Sequence, residues 1–83
     1  MKLLYFGWVR TKIGRDREDV NIPMAINDVA ALIQWLKTRG DSYAHALEND
    51  SLIRVAVNQE IGTMKQAVSN DDEVALFPPM TGG

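Results

Sequence analysis

The chain has 83 residues, of which 46% are hydrophobic and 24% are charged, a composition typical of one small soluble domain. Its formal net charge of −2 argues against a general nucleic-acid binder, which would carry a basic surface. The absence of cysteine excludes a disulfide, a thiolate metal site and a cysteine nucleophile. The lack of cysteine fits a reducing cytoplasm, which is the location we expect. No stretch approaches the roughly 20 apolar residues of a membrane span.

The sequence begins with a segment that predicts a strand, a loop and a second strand. Residues 3–9 are aliphatic and aromatic without a helical period, which favours a strand. Residues 11–17 contain Gly14 and many charges, as expected of a hairpin connection. Apolar residues alternate in 18–23, which predicts a second strand that stops at Pro23, because proline cannot donate to the ladder.

The clearest helical pattern follows. Its apolar residues have the i, i+3, i+4, i+7 spacing of one buried stripe: Val29, Leu32, Ile33 and Leu36. Asn27 or Asp28 is expected to cap the start of this helix, because a short side-chain acceptor satisfies the free amides there. Gly40 is suited to the left-handed position that follows a helix end.

The second half of the chain is predicted to be mostly strands. The expected elements are a short helical turn over 42–49, a strand over 53–57, a short strand near Ile61 and a last strand over 73–77. In the last strand, Val74 and Leu76 share one face, whereas Ala75 and Phe77 share the other.

The order of these elements predicts the fold. A hairpin, a helix and further strands indicate one mixed sheet with a helix across one face. The first and last strands are the most apolar, so we expect them to be central, adjacent and parallel. The prediction is an α+β domain of the β-grasp, or ubiquitin-like, type.

The C-terminus is the most informative functional feature, because a Gly-Gly pair follows two prolines within Phe-Pro-Pro-Met-Thr-Gly-Gly, residues 77–83. Glycine has no Cβ, so such a tail can enter a narrow channel, and the prolines favour an extended exit. The main-chain carboxylate of Gly83 can then be the reactive group itself. We therefore divide the chain into a globular domain, 1–77, and a tail, 78–83.

Several segments together resemble one protein family, namely residues 55–60, 71–79 and 82–83, with Val9-Arg10 also fitting. They resemble the small subunits of molybdopterin synthase, which are ubiquitin-like sulfur carriers. The most specific part is the string Glu-Val-Ala-x-Phe-Pro-Pro-x-x-Gly-Gly. Asp71 departs from the commonest pattern, which has glycine there, and this change should only alter a turn.

The resemblance implies a sulfur-transfer role in molybdenum cofactor biosynthesis. An E1-like activating enzyme would use ATP to adenylate Gly83, and a sulfur donor would convert the acyl-adenylate to a thiocarboxylate. The tail would then enter the large synthase subunit, in a heterotetramer of two small and two large subunits. There it would donate sulfur to cyclic pyranopterin monophosphate and build the dithiolene of molybdopterin. The chain alone would be non-catalytic and would bind no cofactor.

The resemblance also implies roles for individual residues. Gly83 would carry the sulfur, Gly82 would aid threading, and the partner interface would comprise Phe77, Pro78, Pro79, Met80 and Thr81. Phe77 is either such an interface anchor on the helix-free sheet face or a residue that packs on the second side of the sheet.

Other functions fit the same tail. The chain could be a sulfur carrier for thiamine synthesis, a protein modifier conjugated through Gly83, or a non-covalent interaction domain. A metal site is not expected, because His45 is the only histidine and there is no cysteine. The acidic residues 71–73 are interpreted as a turn rather than as acid–base groups.

Overall fold

The computed structural model describes residues 1–79, which form a mixed sheet with helices on one face. The strands are Lys2–Tyr5 (β1), Arg17–Asp19 (β2), Arg54–Val57 (β3), Glu60–Ile61 (β4) and Glu73–Phe77 (β5). The α-helices are Gly7–Ile13 (α1), Val29–Lys37 (α2) and Asp41–Ala46 (α3), and a 3-10 helix spans Asp50–Leu52.

The centre of the sheet is a parallel pair. β1 lies beside β5, with Leu3 opposite Val74 and Tyr5 opposite Leu76. The other pairs are antiparallel, β2 with β1, β3 with β5 and β4 with β3. The resulting order is β2-β1-β5-β3-β4. This arrangement confirms the predicted α+β, β-grasp fold with its parallel central strands.

One face of the sheet forms the core with the helices. On the three inner strands its inward-facing residues are all buried, namely Leu3, Tyr5, Val55, Val57, Val74 and Leu76. The predicted stripe of α2 is buried too, since Val29, Leu32, Ile33 and Leu36 are each 0% exposed. A fully buried aliphatic side chain contributes about 1.5–3 kcal/mol, so this stripe holds α2 in the core.

The prediction of a strand over 3–9 was wrong in its second half, because α1 begins at Gly7. Gly7 has a φ of 58°, a left-handed value that interrupts an extended strand. Val9 and Ile13 are both buried, at the i, i+4 spacing of one helical face. Gly14 ends the helix in the left-handed conformation, and its N–H donates to a carbonyl one turn earlier. The segment predicted to be a hairpin connection is therefore partly helical.

The second strand is shorter than the predicted 18–23. The β1–β2 ladder includes only Arg17–Asp19. Further along, the N–H of Ile22 donates to Asn70 Oδ1 at 2.8 Å, and Asn70 Nδ2 donates to the Ile22 carbonyl at 3.2 Å. Val20 still exchanges two hydrogen bonds with Met1, at 3.0 and 2.8 Å, and beyond it the Asn70 side chain is the partner of the backbone at Ile22.

The structure confirms the prediction for the cap at the start of α2 and contradicts the one for its end. Asp28 is the cap, as one of the two predicted candidates, because its Oδ1 accepts from the N–H of Ala31 at 2.8 Å. The prediction for Gly40 was wrong, since that residue is the N-cap of α3, with φ 158° and ψ 167°. Thr38, in the right-handed conformation, is the C-cap of α2, and its hydroxyl donates to the Trp35 carbonyl at 2.6 Å. No left-handed residue is needed there.

A single carboxylate joins the edge of the sheet to the helical layer. Tyr5 and Tyr43 each donate their hydroxyl to Glu18 Oε2 at 2.7 Å. Arg39 donates to Glu18 Oε1 at 2.9 Å, and Arg15 at 3.3 Å. The Glu18 side chain is only 6% exposed, so this group of donors replaces water around its charge.

We call these five residues, Glu18, Tyr5, Tyr43, Arg15 and Arg39, the Glu18 cluster. Their contacts decide which of them are ionised. Burial disfavours the Glu18 carboxylate, but hydrogen bonds from Tyr43, Tyr5 and Arg39, with the charge of Arg39, outweigh it and lower its pKa. Burial, together with the hydrogen bond to Glu18, raises the pKa of Tyr5 and of Tyr43. Glu18 is therefore an anion that accepts from two protonated tyrosines.

The buried position of Leu32 gives a stability prediction. Leu32→Ala should lower the free energy of unfolding by about 2–5 kcal/mol, because it opens a cavity beneath α2. Denaturant unfolding measures this change, with the exposed Gln34→Ala on the same helix as the control. A midpoint equal to that of the control would contradict the packing described for Leu32.

The Glu18 cluster predicts a pH-dependent difference in stability. Glu18→Gln removes the charge and should lower the free energy of unfolding by about 1.5–3 kcal/mol near neutral pH, because the variant loses hydrogen bonds to a charged group. The folded-state pKa is lowered, so this stabilisation is present above the unfolded-state pKa of about 4.3 and is lost as pH falls through the folded-state pKa. Urea unfolding at several pH values measures the gap in unfolding free energy between the wild type and Glu18→Gln, which should close as the pH falls. A gap that is constant with pH would contradict an ionised Glu18.

Candidate functional site: the open sheet face and the base of the tail

The face of the sheet that points away from the helices carries an apolar row. Cross-strand register places Leu4 opposite Ala75, Ala75 opposite Ala56, and Ala56 opposite Ile61. Because side chains alternate along a strand, these four lie on the face opposite the core residues. Ile61, on the edge strand, is 78% exposed. The open face therefore presents a continuous apolar row that extends to one edge of the sheet.

Two phenylalanines widen this row at the end of the sheet from which the tail leaves. The N–H of Phe6 donates to the Leu76 carbonyl at 3.1 Å, which extends the β1–β5 ladder by one residue. Phe6 follows Leu4 by two positions in extended backbone, so its side chain shares the open face. It is 49% exposed, and Phe77 on β5 is half-buried. We call Leu4, Phe6, Ala56, Ile61, Ala75 and Phe77 the open-face patch.

The base of the tail is packed against the start of α1. A Cβ built on Gly7 would lie 2.7 Å from Pro78 Cγ and 2.9 Å from Cδ, so the proline ring sits directly on this glycine. No other residue type leaves room for that approach without movement of the proline. Pro78 and Pro79 are both half-buried. The chain therefore leaves β5 along a defined path beside Gly7.

The structure brings together the predicted interface residues that it describes. Phe77, Pro78 and Pro79 are consecutive at the end of a central strand. The cross-strand register of β5 also confirms the predicted faces, because Val74 and Leu76 are opposite core residues of β1 and β3, whereas Ala75, itself buried, and Phe77 are on the open side. Met80, Thr81, Gly82 and Gly83 lie outside the described residues, so their roles stay predictions.

Sequence reasoning missed Phe6 as a member of the site. The signal was its two-residue spacing from Leu4, which places both side chains on one face of the strand. With a strand predicted over 3–9, Phe6 is one of several aromatic residues in mid-strand, and nothing connects it with Phe77 at the end of the sheet. Only the start of α1 at Gly7 puts Phe6 at the end of the sheet, beside Phe77.

Other candidate groups have structural roles. Asp72 accepts from the Ser69 N–H at 2.8 Å and from Asn58 Nδ2 at 3.0 Å, so the acidic segment is a turn, as predicted. His45 is exposed on α3, with Nδ1 3.9 Å from Glu48 Oε1. Within residues 1–79, His, Asp and Glu form no group of three or more that could hold a metal ion. None of the helices in that range is long and apolar enough to cross a membrane.

Comparison with known proteins gives full-length matches. The sequence pattern of the ThiS family matches residues 3–83. The molybdopterin synthase sulfur carrier subunit of Haemophilus influenzae is 39% identical over 83 residues, which cover 100% of this chain and 99% of that protein. The fold is similar to that of SAMP1 from Haloferax volcanii, with a TM-score of 0.77, 24% identity, and coverage of 100% of this chain and 98% of that chain.

A further structural match is a subunit within a complex of subunits 1 and 2 of the molybdopterin-converting factor from Helicobacter pylori. Its TM-score is 0.61 at 19% identity, with coverage of 99% of this chain and 96% of that chain. The family pattern and the full-length relative both extend through the C-terminal glycines. These matches show that the chain belongs to the ThiS family.

Proposed function

We propose that this chain is a sulfur carrier for molybdopterin synthesis, with the C-terminal carboxyl of Gly83 as the site that holds the sulfur. The observation that carries this proposal is the 39% identity over the full chain to a molybdopterin synthase sulfur carrier subunit. The geometry supports it, because the tail begins at the end of a central strand beside an exposed apolar patch. A cytoplasmic location stays a prediction.

The chemistry of loading requires only the terminus of this chain. A carboxylate is a poor electrophile, so an activating enzyme joins a Gly83 oxygen to the α-phosphorus of ATP and releases pyrophosphate. A sulfur nucleophile from the donor protein then attacks the Gly83 carbonyl carbon, and AMP leaves with the electron pair of the broken C–O bond. When that nucleophile is a persulfide the product is an acyl disulfide; a thiolate then attacks its donor-side sulfur, forms a new disulfide there and releases the thiocarboxylate on Gly83. Since the chain has no cysteine, a side-chain persulfide is not an alternative carrier.

Delivery requires reach and a docking surface. Residues 78–83, when extended, span roughly 20 Å, which is enough to enter the active site of a partner while the globule stays outside. Gly82 and Gly83 have no side chains that would clash with a channel wall. The open-face patch would contact the large synthase subunit, where the thiocarboxylate donates sulfur to cyclic pyranopterin monophosphate.

The same tail has to visit at least two proteins. The E1-like activating enzyme and the large synthase subunit both need Gly83 in their active sites, so they bind this chain in turn. Assembly of two small and two large subunits is part of the proposal. The complex of subunits 1 and 2 known for the Helicobacter pylori converting factor supports a partner of this kind.

The carrier role predicts the state of the terminus. Intact-mass measurement of protein from its native host should find a fraction in which one oxygen is replaced by sulfur, located at Gly83. Deletion of Gly83 should abolish sulfur transfer to the large subunit but leave the thermal melt unchanged, because the buried core lies within residues 1–76. Full transfer by the deletion variant would exclude the proposed function. Conjugates to lysines of other proteins would instead indicate a protein modifier.

Docking through the open-face patch is tested at Phe77. Phe77→Arg should weaken binding to the large subunit by at least about 2 kcal/mol, since an apolar anchor is lost and a charge is buried. Circular dichroism should stay unchanged, because Val74 and Leu76 retain the core contacts of β5.

Met24→Arg is the matched control for this experiment. Met24 is 98% exposed in the loop before α2, so the variant adds the same charge to the surface without touching the patch. Titration calorimetry on both variants measures the difference. Equal affinities would remove Phe77 from the interface, and unfolding of Phe77→Arg would show that the faces of β5 are assigned wrongly.

A further inference from the structure

Charges are distributed unequally along the strand axis. The start of β5, which is the end of the sheet farthest from the tail, is rich in acidic residues: Asp19, Glu60, Asp71, Asp72 and Glu73. Two arginines, Arg10 and Arg54, lie instead beside the end of β5, where the tail begins. In a chain of net charge −2, the exit of the tail is therefore locally basic.

Arg54 lies on the β3 side of this exit. It is opposite Phe77 in the β3–β5 register, and two-residue alternation puts it on the open face with Ala56. Its Nη1 donates to the Ser51 carbonyl at 2.9 Å. Asp50, which lines the same cleft, is paired with Lys37 at 3.2 Å. The guanidinium is thus held in place by a main-chain acceptor, and its charge is not neutralised by that contact.

Arg10 lies on the α1 side of the exit. Its N–H donates to the Phe6 carbonyl at 3.2 Å, so its backbone lies one helical turn after the Phe6–Gly7 junction. Side chains of a helix lean toward its N-terminal end, which places the exposed Arg10 over the turn that contacts Pro78. Within residues 1–79, the ion pairs involve Arg15, Arg39, Lys37 and His45 and include neither Arg10 nor Arg54.

A partner that covers Phe77 also covers Arg54, because the two residues are cross-strand neighbours. Taking an unpaired charge out of water is costly, so such a partner must supply an anion or strong acceptors to the guanidinium. The nucleotide of the acyl-adenylate is a poor candidate, since an extended tail places Gly83 roughly 20 Å from Phe77. Carboxylates of the partner protein itself fit this position.

We propose that Arg10 and Arg54 are docking contacts for acidic side chains that surround the mouth of the tail channel in the large synthase subunit. This inference rests on the proposed function and adds the chemical character of the partner surface. The two arginines flank the base of the tail, so they also orient it. The acidic far end of the sheet disfavours the reversed docking orientation, because like charges would then meet.

The test compares charge-neutral variants at matched net charge. The double variant Arg10→Gln with Arg54→Gln removes two positive charges at the exit. The control, Lys12→Gln with Lys65→Gln, removes two positive charges from exposed sites outside the open face. Titration calorimetry with the full-length large subunit, at low and at high salt, gives the dissociation constant and its salt dependence. Circular dichroism verifies that both variants are folded.

We expect the arginine variant to raise the dissociation constant about tenfold at low salt and to flatten its salt dependence, as removal of interfacial charges does. The lysine control should bind as the wild type does. The concentration of large subunit that gives half-maximal sulfur transfer should rise in parallel with the dissociation constant.

Three results would overturn the inference. The first is an unchanged affinity and salt dependence in the arginine variant, and the second is an equal change in the lysine control. The third is a change confined to the activating enzyme or to self-association, which would assign the arginines to another surface. If the wild type itself fails to bind the large subunit or to transfer sulfur, the proposed function is refuted. That outcome appears without any substitution, so it can be distinguished from failure of the inference about the arginines.

Discussion

The parallel pairing of β1 with β5 is the constraint on which the rest of the structure depends. Parallel strands cannot be joined by a tight hairpin, so the chain must cross over one face of the sheet, and α2 lies in that crossover. The other face stays open. Because both strands run in one direction, their ends meet, and the Phe6–Gly7 junction is placed beside Phe77 and Pro78. One pairing thus determines the covered face, the open face and the place where the tail leaves.

The buried polar contacts of Glu18 lie on the helical side of the sheet, because Glu18 is opposite the core residue Leu3. The Glu18 carboxylate draws its donors from β1, α3 and the segments after α1 and α2. It therefore fixes the short edge strand β2 to the helical layer through hydrogen bonds rather than through burial of apolar surface. On the opposite edge, β4 is only two residues long and offers little backbone for strand addition.

The sequence was sufficient for the elements that a regular pattern or a rare motif specifies. The stripe of α2 and the faces of β5 could be assigned from spacing alone, and the C-terminal motif was enough to identify the family. The failures occurred where one residue changes the backbone path. Gly7 ends a run of apolar residues that is typical of one strand, and Asn70, far away in the chain, binds the backbone at Ile22 where a longer strand was predicted. The pairing of Phe6 with Phe77 and the position of Arg54 depend on cross-strand register, which local patterns do not contain.

The two alanines at the centre of the open face have a consequence for turnover. Ala56 and Ala75 are directly opposite each other, so the middle of the face has no large side chain. Large anchor side chains supply most of the binding energy of an interface, and the alanines make only a shallow contact there. Differences in affinity between related complexes lie mostly in the dissociation rate, so a shallow contact favours short residence. A carrier built this way leaves each protein readily once its terminus has reacted, and a small pool of it can serve many successive cycles.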